Sequence, residues 1–153
     1  MNGLFEWFVK FMLILIFAPL LVCLLLQATI GVLAAADGRV LVTTNRPGGC
    51  GHSVFISHDQ FARYTVYCHL KEVLVKPGDA VKRGETIGLV GTTGNAVGVP
   101  HVHLELCTAT CYRGHADGDL RDTEDPLTRA DGCFDPKKQY PADRLVLTYP
   151  VKC

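Results

Sequence analysis

His101 and His103 stand on either side of Val102 in Pro100-His101-Val102-His103-Leu104-Glu105. On an extended strand successive side chains alternate, so both imidazoles share one face while Val102 and Leu104 take the other. Such a pair suits a metal ion, above all zinc, which takes histidine nitrogen at about 2.0–2.1 Å and gains from ligands already fixed on a strand. A His-x-His pair serves equally as exposed or cross-strand polar residues, so metal chemistry needs a further partner. His69, closing the run Tyr67-Cys68-His69-Leu70, is placed to meet the pair from a neighbouring strand. His58, in Ile56-Ser57-His58-Asp59, and His52, beside Gly51, read instead as turn-capping or solvent-facing residues.

The elements that must position these histidines are short and β-type. Apolar and β-branched runs at residues 39–44, 53–57 and 64–70 are separated by turn residues such as Pro47-Gly48-Gly49. Residues 73–90 read as two strands around Pro77-Gly78-Asp79 with a second turn at Arg83-Gly84-Glu85, a β-hairpin unit. Residues 91–100, rich in glycine, form a loop that delivers the chain into a strand at 101–106. Beyond Cys107 the chain turns polar and Asp-rich, with one late strand expected at 144–149.

Ahead of this region, residues 11–36 contain no charged side chain, which is enough apolar chain for a membrane helix of roughly 20 residues. Ala34-Ala35-Ala36 offers the alternative of a cleaved signal peptide. Either reading sends the rest of the chain out of the cytoplasm, and the cysteines at 50, 68, 107, 111, 133 and 153 suit disulfides there. Their pairing is not legible from spacing, and Cys23 falls within the apolar segment. The 15 basic and 15 acidic residues are interspersed, so no basic stripe exists to neutralise phosphates and nucleic acid is excluded as a partner.

Several of these pieces occur together in a known order. Ala35-Ala36-Asp37-Gly38-Arg39-Val40 is followed by Tyr67-Cys68-His69-Leu70, by glycines 78, 84 and 88, by Gly91-Thr92-Thr93-Gly94 and by Pro100-His101-Val102-His103. That series resembles the lysostaphin/LytM-type zinc endopeptidases of bacterial cell walls, and Asp125-Pro126 resembles the Asp-Pro that often follows their domain. The resemblance implies an all-β, largely antiparallel, lysostaphin-like domain at 37–107, behind one transmembrane or signal helix at 1–36 and before a Cys-containing extension at 108–153. It implies a bacterial inner-membrane protein with a periplasmic or extracytoplasmic domain, or a secreted one after signal cleavage, whose partner is peptidoglycan peptide. It also implies Zn2+ as cofactor, His103 as a ligand, and His69 and His101 as the groups that handle the attacking water and the oxyanion.

One part of the pattern is missing. In such enzymes a His-x-x-x-Asp pair ahead of the Ala-Ala-x-Gly strand supplies the other two ligands, but here no His precedes His52 and no Asp precedes Asp37. His115-Ala116-Asp117-Gly118-Asp119 has the same spacing downstream, which makes His115 and Asp119 the substitute ligands to consider. Two functions therefore follow from the resemblance: a metalloendopeptidase, or a catalytically inactive module that binds cell wall or activates a partner hydrolase. The hairpin at 75–84 also resembles those of biotinyl and lipoyl carriers, but the carrier's modified lysine has no counterpart in it.

Overall fold

The computed structural model describes residues 30–96, 98–108 and 123–153. The chain divides after Ile30, and everything below belongs to the unit Gly31–Cys153. Residues 1–29 of the membrane or signal helix expected at 1–36 fall outside the described residues, as do His115 and Asp119, while residues 31–33 of it form a strand instead. Among the described residues, no helix is long and apolar enough to cross a membrane.

The fold is all-β and every strand pairing is antiparallel. The strands are β1 (Gly31–Leu33), β2 (Gly38–Arg46), β3 (Gly51–His58), β4 (Arg63–Leu70), β5 (Glu72–Val73), β6 (Ala80–Val81), β7 (Thr86–Leu89), β8 (His103–Thr108) and β9 (Thr123–Glu124). A six-stranded sheet runs β6-β2-β3-β4-β8-β9, and a three-stranded sheet runs β1-β7-β5. β-branched and aromatic residues dominate β3 and β4, and they suit a pleated surface buried on one face or both.

The period of two sorts the large sheet into two apolar faces. Val54, Ile56, Tyr67 and Leu106 face the main core with Val32, Ile87, Leu145 and Leu147, whereas Phe55, Val66, Cys68 and Cys107 form a second cluster. The folded unit starts ahead of residue 37: Gly31–Leu33 is a strand, and Ala34, Ala35 and Ala36 are buried in the main core. Small side chains there let the Ala35 N–H reach the Tyr67 hydroxyl at 2.8 Å. Tyr67 is fully buried, so Tyr67→Phe should strand that N–H without an acceptor and cost about 1–2 kcal/mol in denaturant unfolding. A variant as stable as the wild type would show that the N–H finds another partner.

Two local expectations are corrected. Residues 73–90 pair antiparallel at their ends, Val73 with Gly88, but not as a tight hairpin around Pro77-Gly78-Asp79, because β6 between them pairs with β2 of the other sheet. The Pro77-Gly78 turn, fixed by the Lys76 N–H donating to Asp79 Oδ2 at 3.0 Å, carries the chain from one sheet to the other. Residues 144–149 form no strand: Leu147 makes an isolated bridge to Ala130, and Leu145 and Leu147 are buried by packing instead. The tail is closed by a Cys133–Cys153 disulfide with Cα atoms 6.0 Å apart.

Candidate active site

Three histidines meet where β4 ends and β8 begins. Cys68 of β4 lies opposite His103 of β8, so His69 follows directly beside the His101-Val102-His103 run. The His69 ring centroid is 4.9 Å from that of His101 and 6.0 Å from that of His103. His101 lies just ahead of β8 and is tied to Gly91 by an isolated bridge, with its N–H donating to the Gly91 carbonyl at 3.2 Å. The sequence expectation that these residues gather on one surface therefore matches the geometry, with His101 outside the strand proper.

His69 is the most constrained of the three. Its backbone is left-handed, with φ 64°, at the register shift in the β3–β4 pairing between His52↔Leu70 and Val54↔Tyr67. A non-glycine residue in that region carries strain of order 1 kcal/mol, which the surroundings must hold in place. Here its N–H donates to the Cys50 carbonyl at 2.8 Å, and the Cys50–Cys68 disulfide, with Cα atoms 4.9 Å apart, ties the same two segments. Its Nδ1 lies 2.9 Å from the Thr93 carbonyl oxygen. A carbonyl only accepts, so Nδ1 carries a proton and in the neutral ring the lone pair is at Nε2.

Thr93 is the part of the site that sequence spacing did not single out. Its hydroxyl donates to the Leu70 carbonyl at 2.7 Å and accepts the His52 N–H at 2.9 Å, so one residue fixes the ends of β3 and β4 and the tautomer of His69. Its position inside the glycine-rich loop was the available signal. Next to it Gly94, at φ 74°, packs against the Gly49–Gly51 turn, and the Asn95 N–H donates to the Gly49 carbonyl at 2.8 Å.

His101 donates from Nδ1 to the Val99 carbonyl at 2.8 Å and, like His69, keeps Nε2 as an acceptor. His103 differs. Its Nε2 lies 2.9 Å from Glu105 Oε1, and the hydrogen bond to this carboxylate raises the imidazole above its ordinary pKa. Glu105, two residues along the same strand face, was findable from the period of two. His103 is half exposed, so the pair is of the screened kind.

His52 and His58 both depart from expectation. His52 lies on β3, half-buried, with Nδ1 3.2 Å from the Lys71 carbonyl oxygen. His58 neither caps the following turn nor faces solvent: it is 3% exposed, with Nδ1 2.7 Å from the Asp37 carbonyl and Nε2 2.9 Å from Thr65 Oγ1.

A catalytic zinc needs three protein ligands and an open position. Among the described residues, no three His, Cys, Asp or Glu side chains are arranged to share an ion. β1, immediately before Ala34-Ala35-Ala36, presents Gly31, Val32 and Leu33, none of which is a ligand. The described residues alone therefore do not fit a catalytic zinc.

The chain is similar to known proteins. The chain is 46% identical over 75 residues to an uncharacterized metalloprotease of Haemophilus influenzae, covering 49% of this chain and 15% of that protein. It is 45% identical over 75 residues to the peptidoglycan DD-endopeptidase ShyA of Vibrio cholerae, covering 49% of this chain and 17% of that one. The chain thus spans less than a fifth of the length of these curated relatives. Among solved structures, the catalytic domain of the antimicrobial peptidase lysostaphin from Staphylococcus simulans superposes with a TM-score of 0.56 at 26% identity, over 65% of this chain and 71% of that one. Residues 25–115 match the profile of peptidase family M23, more than half of the chain, and with the three converging histidines in place this protein belongs to that family.

Proposed function

We propose that this domain acts on peptidoglycan by holding a cell-wall peptide against His69, His101 and His103, as a binding or hydrolase-activating module and not as a zinc hydrolase. The observation that carries this reading is the donor set. His69 and His101 each offer a lone pair at Nε2, His103 is engaged by Glu105, and no third ligand-type side chain joins them among the described residues. Imidazoles so arranged at His69 and His101 are suited to accept peptide N–H groups. The reading also places the domain outside the cytoplasm of a bacterium, on the inner membrane through the apolar chain ahead of β1 or secreted after its cleavage, with a separate hydrolase as partner.

One observation favours the metalloendopeptidase reading: the distal histidines converge as a zinc enzyme would need them, and His115 and Asp119 have the spacing of the missing pair. Zinc binding by the full chain in detergent separates the two. The expected result is no tightly held zinc, retention on purified sacculi, and about tenfold weaker retention for His69→Ala/His101→Ala, as losing hydrogen bonds worth about 1.4 kcal/mol in total would give. Near-stoichiometric zinc lost in His103→Ala, with cleavage of cross-linked peptide, would establish the hydrolase instead.

A further inference from the structure

At the opposite end of β4 from His69, a cleft of about 400 Å3 opens between the β3–β4 turn, the β6–β7 turn and the disulfide-closed tail. Six residues of β4, Arg63 to Cys68, separate the two sites, roughly 20 Å of strand, so the cleft stands apart from the histidine cluster and from the function proposed for it.

Arg83 is the half-buried cation in its wall. Its Nη1 donates to the Ala35 carbonyl at 2.6 Å and its guanidinium lies 4.0 Å from the centroid of the Tyr140 ring. A guanidinium has five N–H donors, and the bond to the Ala35 carbonyl uses one of them. Arg144 lines the same cleft, exposed and without a bonded partner among the described residues. Neither arginine has a carboxylate within ion-pair distance among the described residues.

The carboxylates nearby are engaged elsewhere. Asp37 accepts from Lys82 Nζ at 3.0 Å and from the Arg83 backbone N–H at 2.8 Å. Asp131 pairs with Lys138 at 2.6 Å, and Asp135 accepts the Lys137 N–H at 2.9 Å. Burial draws the Arg83 pKa below its ordinary value, outweighing the opposing pull of Tyr140, Asp37 and Asp131. The remaining walls include Phe61 and Phe134, which are apolar and partly buried.

We propose that this cleft binds a carboxylate borne on a planar or apolar body, the carboxylate taken by Arg83 and Arg144 and the body lying between Phe61, Phe134 and Tyr140. A guanidinium fork matches a carboxylate in two parallel hydrogen bonds, and the stacked Tyr140 ring holds the fork in orientation before the ligand arrives. The aromatic walls select for the body, and the mixed lining selects against large polyanions.

The test uses the full chain in detergent, with benzoate, its neutral isostere benzamide, and inorganic phosphate as probes, read from arginine Nε–H resonances. Benzoate is expected to move the Arg83 and Arg144 signals saturably, while benzamide leaves them in place and phosphate competes weakly. Arg144→Gln, at an exposed position, should weaken benzoate about tenfold without changing the melting temperature. Arg83→Lys keeps the charge but not the fork and should weaken it comparably; if that variant does not fold, Arg144→Gln alone decides. Equal shifts from benzoate and benzamide, phosphate binding as well as benzoate, or undiminished binding by Arg144→Gln would each overturn the proposal.

Discussion

Gly91→Ala is expected to lower stability by about 3 kcal/mol and to separate the histidines in the same step. Gly91 is buried where the glycine-rich loop crosses the end of β4. An added methyl would lie 2.6 Å from Lys71 Cα and 2.8 Å from the His69 carbonyl oxygen, which are backbone atoms that cannot rotate away. The strand end and the loop must therefore move apart. The His101 N–H bond to the Gly91 carbonyl and the 4.9 Å approach of the His69 and His101 rings depend on that contact. For a domain of this size the loss corresponds to roughly 10 °C or more in melting temperature. Gly48→Ala is the control, since a methyl there meets nothing within 4 Å. A Gly91→Ala protein that melts within two degrees of the wild type and is retained equally on sacculi would show that the loop has room to shift.

That crossing also shows which parts of the molecule were legible in the sequence. The strands at 39–44, 53–57 and 64–70 were found within a few residues, because β-branched alternation between turns is a local signal. The gathering of His69, His101 and His103 was also legible, since the motif order fixes which strands carry them. What escaped were features set by contacts distant in sequence. Residues 80–81 join β2 because the Pro77-Gly78 turn aims them at the other sheet, a choice that apolar content does not encode. Thr93 matters because two backbone groups and the His69 imidazole, from β3 and β4, converge on it, which a loop of Gly, Thr and Asn does not announce. The cysteine pairing emerged only when β3 and β4 brought Cys50 to Cys68.

His58 was misread for the same reason, and it makes the fold sensitive to acid. In sequence it precedes Asp59 and reads as a turn residue, but the turn is tight enough to leave it inside, bonded at both nitrogens. The Asp37 carbonyl takes the Nδ1 proton, so Nε2 accepts from Thr65, whose hydroxyl is also hydrogen-bonded to Tyr67. This neutral tautomer suits the site, and burial above all holds the imidazole below its ordinary pKa of 6.5, outweighing the bond to the Asp37 carbonyl. Between that lowered pKa and 6.5 the unfolded chain binds the proton more readily than the folded one, so stability rises with pH. The contribution is complete above about 6.5 and is lost as pH falls through the lowered folded value. His103 works in the opposite sense: its raised pKa gives stability that is present in acid and lost as pH rises above 6.5. Comparing wild type with His58→Ala isolates the first effect. The variant should lose about 3 kcal/mol at pH 7.5, from the vacated volume and the unpaired Asp37 carbonyl. Denaturant titrations between pH 7.5 and 5 should then show the wild type losing stability faster than the variant as pH falls. Parallel curves would mean that His58 stays solvated enough to take up its proton in the folded state.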